Sequence, residues 1–273
     1  MSTTMLKQPA IFLPHGGGPC FFMDWSWGPA DTWKLTERFL RELPATLPAR
    51  PRAILVLSGH WEERAFTVST AQHPELIYDY YGFPEHTYHL SWPAPGSPEV
   101  AARVEQLLRA AGLPVAQAQR GYDHGVFVPL KVAFPEAEIP VVTLSLAVGA
   151  DGRFDPAQHL AAGRALAPLR EEGVLILGSG MSFHNLRAYL APRTPDLARQ
   201  FDSWLTEAVE LPASQRQERL EQWETAPAAR FAHPREEHLI PLMVAAGAGS
   251  ETPGQRIFHD EPLGAALSAY RFD

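Results

Sequence analysis

The chain has 273 residues, 45% of them hydrophobic and 20% charged, with a formal net charge of −8. This length and composition predict one globular domain over residues 1–273, and the lack of a basic run argues against a nucleic-acid partner. No stretch is long and apolar enough to suggest a membrane span or a signal peptide. The one cysteine, Cys20, excludes an internal disulfide, so we expect a cytoplasmic protein.

Short apolar runs rich in β-branched residues alternate along the chain with amphipathic stretches. In chain order, the pattern predicts a strand at 10–13, a helix at 31–42, a strand at 53–57, a helix at 98–111, a strand at 141–148, a helix at 156–172, a strand at 174–177, helices at 196–210 and 236–246, and a strand within 265–272. The clearest helix has Ser97 as N-cap, Pro98 in its first turn and Gly112 at its end. The alternation predicts an α/β fold with a central mixed, largely parallel sheet flanked by helices.

Three histidines follow predicted strands through glycine-containing turns. His15 comes after the first strand in a His-Gly-Gly-Gly segment, His60 after the second, and His184 after the run at 174–177. Ligands of open α/β sheets bind at the carboxyl ends of the strands. The sequence therefore predicts a site at this edge.

Two further histidines lie in segments that suggest a role. His238 comes early in the predicted helix 236–246, where a side chain can project beyond the helix N-terminus. His124 lies in a turn-like segment, and Asp123 is placed in sequence to be its neighbour.

The His-Gly-Gly-Gly segment allows three interpretations: an oxyanion loop, a metal site, or a tight surface turn. An oxyanion loop requires a G-x-S-x-G nucleophile elbow, which the sequence lacks, and it also lacks a dinucleotide fingerprint and a P-loop. Imidazoles without a cysteine cluster suit iron, zinc or manganese. Residue types alone leave open a ferrous site that binds O₂ and a zinc site that activates water.

Motifs distributed along nearly the whole chain resemble those of the class III extradiol ring-cleavage dioxygenases, the LigB-like superfamily, and within it the DOPA 4,5-dioxygenase group. The matching segments are His15-Gly16 with Pro19, Ser58-Gly59-His60-Trp61, residues 78–83 (YDYYGF), residues 93–98 (PAPGSP), Tyr122-Asp123-His124-Gly125, residues 180–186 (GMSFHNL), and Glu237-His238 with Pro241-Leu242. The order and spacing of these segments, rather than any one of them, carry the resemblance.

The resemblance implies that His15, His60 and His238 are the metal ligands. It also implies that His184 acts as acid and base on the substrate, or as a fourth ligand in some metal-loaded forms. His124 is expected to be a further catalytic residue that lines the substrate pocket and helps to orient the substrate or O₂.

Two neighbours of these histidines complete the implied site. Tyr122 shares a motif with His124 and is expected to contact the substrate as well. More distant relatives use a glutamate as third ligand, and Glu237 precedes His238 directly. A one-residue step along a helix turns a side chain by about 100°, so we expect only one of the two, His238, to face the metal.

The implied reaction is the opening of a catechol ring, such as that of L-DOPA, by O₂ to a muconic semialdehyde. Ferrous ion is the expected cofactor, and zinc can replace it in a purified form. The expected partners are the catechol and O₂, and the expected assembly is a monomer or a small homo-oligomer. Two alternatives remain: a non-enzymatic member of the superfamily that binds a partner, and a zinc-dependent hydrolase that uses the same histidines.

Overall fold

A single eight-stranded sheet organises the computed structural model, which describes residues 6–249 and 252–273. Residues 1–5 and 250–251 of the expected domain lie outside the described residues. The strands are β1 (Ala10–Pro14), β2 (Ala53–Glu63), β3 (Phe66–Ser69), β4 (Val115–Ala118), β5 (Val141–Ala147), β6 (Val174–Gly180), β7 (Gln255–Asp260) and β8 (Leu267–Phe272). The helices are α1 (Lys34–Glu42), α2 (Pro98–Ala110), α3 (His124–Ala133), α4 (Pro156–Leu166), α5 (Pro168–Glu171), α6 (Thr194–Val209), α7 (Ala213–Glu221), α8 (Ala229–Ala232) and α9 (Ile240–Ala248).

The strands lie in the order β4-β3-β5-β2-β6-β1-β8-β7. The four central strands, β5, β2, β6 and β1, are parallel to one another. Antiparallel pairs occur towards the edges, where β3 meets β5 and β8 meets both β1 and β7. The predicted fold class, an α/β fold with a mixed and largely parallel sheet, is confirmed.

The core lies on both faces of the sheet because successive side chains of a strand point to opposite sides. In β1, Phe12 belongs to one hydrophobic cluster, whereas Ile11 and Leu13 belong to the other. Helix α9 supplies Met243 to the first cluster, and α3 supplies Phe127 to the second. Strands buried on both faces are expected to be rich in apolar residues, and β1, β5 and β6 are buried along their whole length and mostly apolar.

Two element boundaries near the histidines differ from the prediction. Strand β2 continues beyond residue 57 to Glu63, past a register shift against β5, so that His60 lies inside an irregular part of the strand. Helix α9 begins at Ile240 rather than at residue 236. Pro241 has no N–H and fits only the first turn of a helix, so His238 lies in the preceding turn.

Within the part of the chain that the structure describes, none of the helices has both the length and the apolar composition needed to cross a lipid bilayer.

Candidate active site

The register of the central strands brings three chain segments to the same edge of the sheet. Ser179 of β6 lies beside Leu13 of β1 on one side and beside Ser58 of β2 on the other. His15 follows β1 directly, and His60 lies shortly beyond Ser58. Because β1, β2 and β6 are parallel, the segments that continue from these positions emerge together.

Glycines allow the turn that carries His238 to pack closely on these strand ends. The Met181 N–H donates to the His238 carbonyl oxygen at 3.0 Å. A Cβ atom on Gly180 would lie 2.1 Å from that oxygen, and one on Gly59 would lie 3.1 Å from the carbonyl oxygen of Glu237. The first distance is far below van der Waals contact, so the turn can approach only because residue 180 lacks a side chain.

The glycine-rich segment after β1 turns the His15 ring into the site. Gly16 and Gly18 have φ angles of +86° and +56°, which glycine adopts readily. His15 is buried, and its Nδ1 lies 2.9 Å from the carbonyl oxygen of Gly16, an acceptor that requires Nδ1 to carry the proton. The lone pair is therefore on Nε2, which is buried without a hydrogen-bond partner among the described residues.

His15, His60 and His238 each offer a ring nitrogen, and these three atoms lie within 4.8 Å of one another. Nε2 of His60 is 3.2 Å from Nε2 of His238. Two nitrogens bound to one ion at about 2.1 Å are roughly 3–3.5 Å apart, so this spacing suits a shared metal. Nε2 of His15, which has no hydrogen-bond partner among the described residues, is likewise available to bind that metal.

The three imidazoles are neutral at ordinary pH. Burial lowers the pKa of His15, His60 and His238 well below the usual histidine value, and the neighbouring imidazoles lower it further. Neutral imidazole is the form that binds a metal. The side chain of His60 nevertheless stays 21% exposed, so one side of the cluster is open to an incoming molecule.

His124, the first residue of α3, is held by a carboxylate from a distant loop. Its Nδ1 and its backbone N–H both donate to Oδ1 of Asp79, each at 2.9 Å, across a separation of 45 residues. Burial acts to raise the pKa of Asp79, but the hydrogen bonds and the charge of His124 outweigh it and lower the pKa. The ring of His124 lies with its centroid 4.0 Å from that of His60.

Asp123 binds to residues around the His60 backbone, whereas the ring of His124 is held by Asp79. Its buried carboxylate accepts from the Ser58 hydroxyl at 2.7 Å and from the Arg120 guanidinium at 3.1 Å. Arg120 also donates to the carbonyl oxygen of His60, whose N–H donates to Oγ of Ser58 at 3.2 Å. Burial and then the charge of Asp79 raise the pKa of Asp123.

His184 packs flat on His238, with ring centroids 3.4 Å apart and planes within 19°. Oε1 of Glu237 lies 3.1 Å from Nδ1 of His184 and 3.0 Å from Nδ1 of His238. The turn before α9 therefore lets Glu237 and His238 both face the cluster, which the expectation of a helix did not allow. The side chain of His184 is 20% exposed, whereas that of His238 is only 3% exposed.

Tyr122 does not join these residues. Its side chain is fully buried, and its hydroxyl donates to the carbonyl oxygens of Pro95 and Val141. The hydroxyl is thus committed to the backbone, and a substrate has no access to it. This geometry gives no support to the expectation that Tyr122 contacts substrate.

Two carboxylates of this cluster hydrogen-bond to histidines in a way that the sequence did not predict. Asp79 lies in the YDYYGF segment, but nothing in its spacing pointed to His124. For Glu237, the sequence indicates only the role of an alternative metal ligand. Hydrogen bonds between distant segments leave no periodic signal in a sequence, so only the motifs themselves drew attention to these positions.

Comparison with known proteins agrees with this geometry. Residues 9–269 match the family model described as the catalytic LigB subunit of aromatic ring-opening dioxygenase. The chain is 41% identical to Dioxygenase tasH of Hapsidospora irregularis, over 98% of this chain and 86% of that protein. It is 40% identical to 4,5-DOPA dioxygenase extradiol of Beta vulgaris, over 97% of this chain and 96% of that protein.

Bacterial proteins show the same likeness. A 4,5-DOPA dioxygenase extradiol of Escherichia coli K12 is 34% identical over 91% of this chain and 87% of that protein. The crystal structure of an uncharacterized protein from the same strain superposes with a TM-score of 0.77 at 29% identity, covering 98% of this chain and all of the other. The match to the family model spans almost the entire described sheet. The chain belongs to the LigB family of aromatic ring-opening dioxygenases and is a ring-cleavage dioxygenase of the extradiol type.

Proposed function

We propose that this protein opens the ring of a catechol of the L-DOPA class with O₂, giving a muconic semialdehyde, and that His15, His60 and His238 hold ferrous ion for this reaction. The observation that carries the proposal is the convergence of three neutral imidazoles, with a buried Nε2 on His15 that has no other partner. The substrate class is suggested by the relatives from Beta vulgaris and Escherichia coli, whose names specify 4,5-DOPA.

Bound ferrous ion would supply adjacent coordination positions for the catechol oxygens and O₂, together with the electron transfer that lets O₂ react. The protein's part is to present the ligands from a rigid edge of the sheet. His15 and His238 are buried, so a catechol approaches from the side of His60 and His184, where the side chains are partly exposed.

We assign proton transfer to His184. Its Nδ1 donates to Glu237, which leaves Nε2 as the basic nitrogen. A neutral imidazole can take up a proton at its free nitrogen and release it again, so Nε2 is suited to take a proton from a catechol hydroxyl and to return it as the ring opens. We assign substrate orientation to His124, whose Nδ1–H is likewise held by a carboxylate, that of Asp79.

The test is anaerobic loading of the metal-free protein with ferrous ion or zinc, followed by a panel of catechols that includes L-DOPA. With ferrous ion we expect oxygen uptake and a yellow product. With zinc we expect a catechol to bind without turnover, because zinc has no redox chemistry to offer O₂.

Two results would contradict the proposal. The absence of oxygen uptake with every catechol under ferrous ion would remove the substrate class. Equal turnover with zinc would favour the hydrolase that uses the same histidines, and hydrolysis of an ester panel by the zinc-loaded protein would then identify it.

A further inference from the structure

The carboxylate of Glu237 contacts two histidines of the site through the same oxygen. Its Oε1 accepts from Nδ1 of His184 at 3.1 Å and from Nδ1 of His238 at 3.0 Å. An ionised carboxylate only accepts hydrogen bonds, so each ring nitrogen that faces it carries the proton. Both imidazoles are thereby held in the tautomer whose lone pair is on Nε2.

The rings of His184 and His238 are stacked, so the shared contact with Glu237 fixes the orientation of both. The centroids are 3.4 Å apart and the planes are within 19°. Because both Nδ1 atoms face Glu237, the two Nε2 atoms do not, and Nε2 of His238 lies 3.2 Å from Nε2 of His60. The ring of His184 thus lies against that of His238, with its basic nitrogen on the edge that does not face Glu237.

The two histidines are the nearest polar partners of the Glu237 carboxylate among the described residues. Arg235 pairs with both carboxylate oxygens of Glu62 and stays 3.8 Å from Oε2 of Glu237. That oxygen is buried without a hydrogen-bond partner among the described residues. The adjacent Glu236 turns the other way, to Arg230 and the backbone N–H of Phe154.

We propose that Glu237 is a positioning residue that sets the tautomer and orientation of His184 and His238 together. The part that concerns His184 rests on the proposed function. When the Nε2 of His184 takes a hydroxyl proton, the resulting imidazolium keeps its Nδ1–H on the Glu237 carboxylate, which stabilises the positive charge. The same carboxylate makes His238 a more basic ligand.

The substitution Glu237→Gln tests this, because it keeps the shape of the side chain, removes the charge and offers an amide N–H to Nδ1. We expect ¹⁵N spectra of the labelled imidazoles in metal-free protein to show His184 and His238 moving partly to the tautomer with the lone pair on Nδ1. Zinc affinity, measured against a competing chelator, should fall about 10–100-fold. Ring opening at saturating ferrous ion should fall by about 10²–10⁴-fold.

Glu236→Gln is the matched control. It removes the same charge from the adjacent residue, and the side chain of Glu236 contacts Arg230 and the Phe154 N–H rather than a histidine of the site. It should keep the tautomers of the parent protein and its zinc affinity to within about twofold. Glu237→Asp keeps the charge and should retain the parent tautomer in at least one of the two rings.

The proposal is overturned if Glu237→Gln shows the parent tautomers and the zinc affinity of Glu236→Gln. It is also overturned if Glu237→Asp changes the tautomers as much as Glu237→Gln does. Neither readout needs turnover, so both remain decisive in a protein that opens no catechol. Ring opening by the parent, combined with unchanged tautomers in Glu237→Gln, would contradict the inference and leave the proposed function standing.

Discussion

At the scale of single residues, the histidines of the site differ in the group to which Nδ1 of the ring donates its hydrogen bond. Nδ1 of His15 donates to a backbone carbonyl, whereas Nδ1 of His124 and Nδ1 of His184 donate to carboxylates. Carboxylate partners stabilise an imidazolium, and a backbone carbonyl does so less. This difference makes His15 less suited to proton transfer than His184. His238 also donates to a carboxylate, and it differs from His184 in burial, with a side chain 3% exposed against 20%.

The two roles predict different behaviour of His184→Phe and His15→Phe. His184→Phe keeps an aromatic ring against His238 and should retain zinc affinity near that of the parent. Ring opening under ferrous ion should fall by about 10²–10⁴-fold, the usual contribution of one acid–base group. His15→Phe should lose metal and activity together, and chelator competition with one rate measurement distinguishes the two variants.

Either of two outcomes would contradict this division. If His184→Phe empties the site as His15→Phe does, His184 is a ligand. If His184→Phe binds metal and turns over normally, the proton moves through His124 or water.

At the scale of elements, the close contact between the end of β6 and the turn before α9 positions His238. Gly180→Ala would place Cβ 2.1 Å from the carbonyl oxygen of His238. Because that oxygen belongs to the backbone, it cannot move aside as the end of a flexible side chain could. We expect the turn to shift, zinc affinity to fall, and the free energy of unfolding to drop by about 1–3 kcal/mol. Chelator competition and urea unfolding measure the two effects.

Gly112→Ala, just after α2, provides the control. Its φ of +74° strains an alanine, but nothing lies within 4 Å of the added Cβ. It should cost about 1 kcal/mol of unfolding free energy while leaving zinc affinity unchanged. Equal zinc affinity in Gly180→Ala and Gly112→Ala would show that the contact does not position His238.

At the scale of the whole molecule, buried histidines outside the site link stability to pH. Burial lowers the pKa of His159 to about 4 and that of His233 to about 3, from 6.5. His159 accepts from the Ala147 N–H and donates to the carbonyl oxygen of Asp155, so its neutral form is fully bonded. Below about pH 6.5 these histidines are protonated in the unfolded chain but stay neutral in the folded chain. The free energy of unfolding therefore falls as the pH falls.

For His159 alone, the loss should reach about 3 kcal/mol once the pH has dropped through about 4. Urea unfolding of metal-free protein across this range measures it. In His159→Gln the slope of the free energy of unfolding against pH should be smaller between pH 6.5 and about 4. The decrease should correspond to up to one fewer proton taken up on unfolding. An unchanged slope would mean that His159 titrates alike in both states.

The central strands could be predicted from the sequence because each is a short apolar run buried on both faces. The runs at 10–13, 141–148 and 174–177 became β1, β5 and β6, and the helix at 98–111 became α2, with Ser97 capping it as predicted. These features depend on local composition and on a cap within the same segment. The sheet class and the family motifs followed from the same information.

Other elements escaped prediction for identifiable reasons. Strands β3 and β4 are short and pair with strands distant in the chain, whereas β7 is largely exposed or half-buried and lacks a continuous apolar run. Helix α3 is almost entirely buried and contains Pro129, so it shows no amphipathic period. The predicted helix at 156–172 is divided into α4 and α5, the second of which begins at Pro168.

The sequence by itself therefore determined the central strands, the fold class and the histidine set, because these depend on local pattern and on motifs of adjacent residues. Only the tertiary structure decided that Asp79 holds His124, that Glu237 holds His184 and His238, and that Tyr122 is committed to the core. Each of these contacts joins segments separated by a crossover of the sheet or depends on the shape of a turn. Such contacts are fixed by strand order, register and close packing at glycines, none of which a single sequence displays.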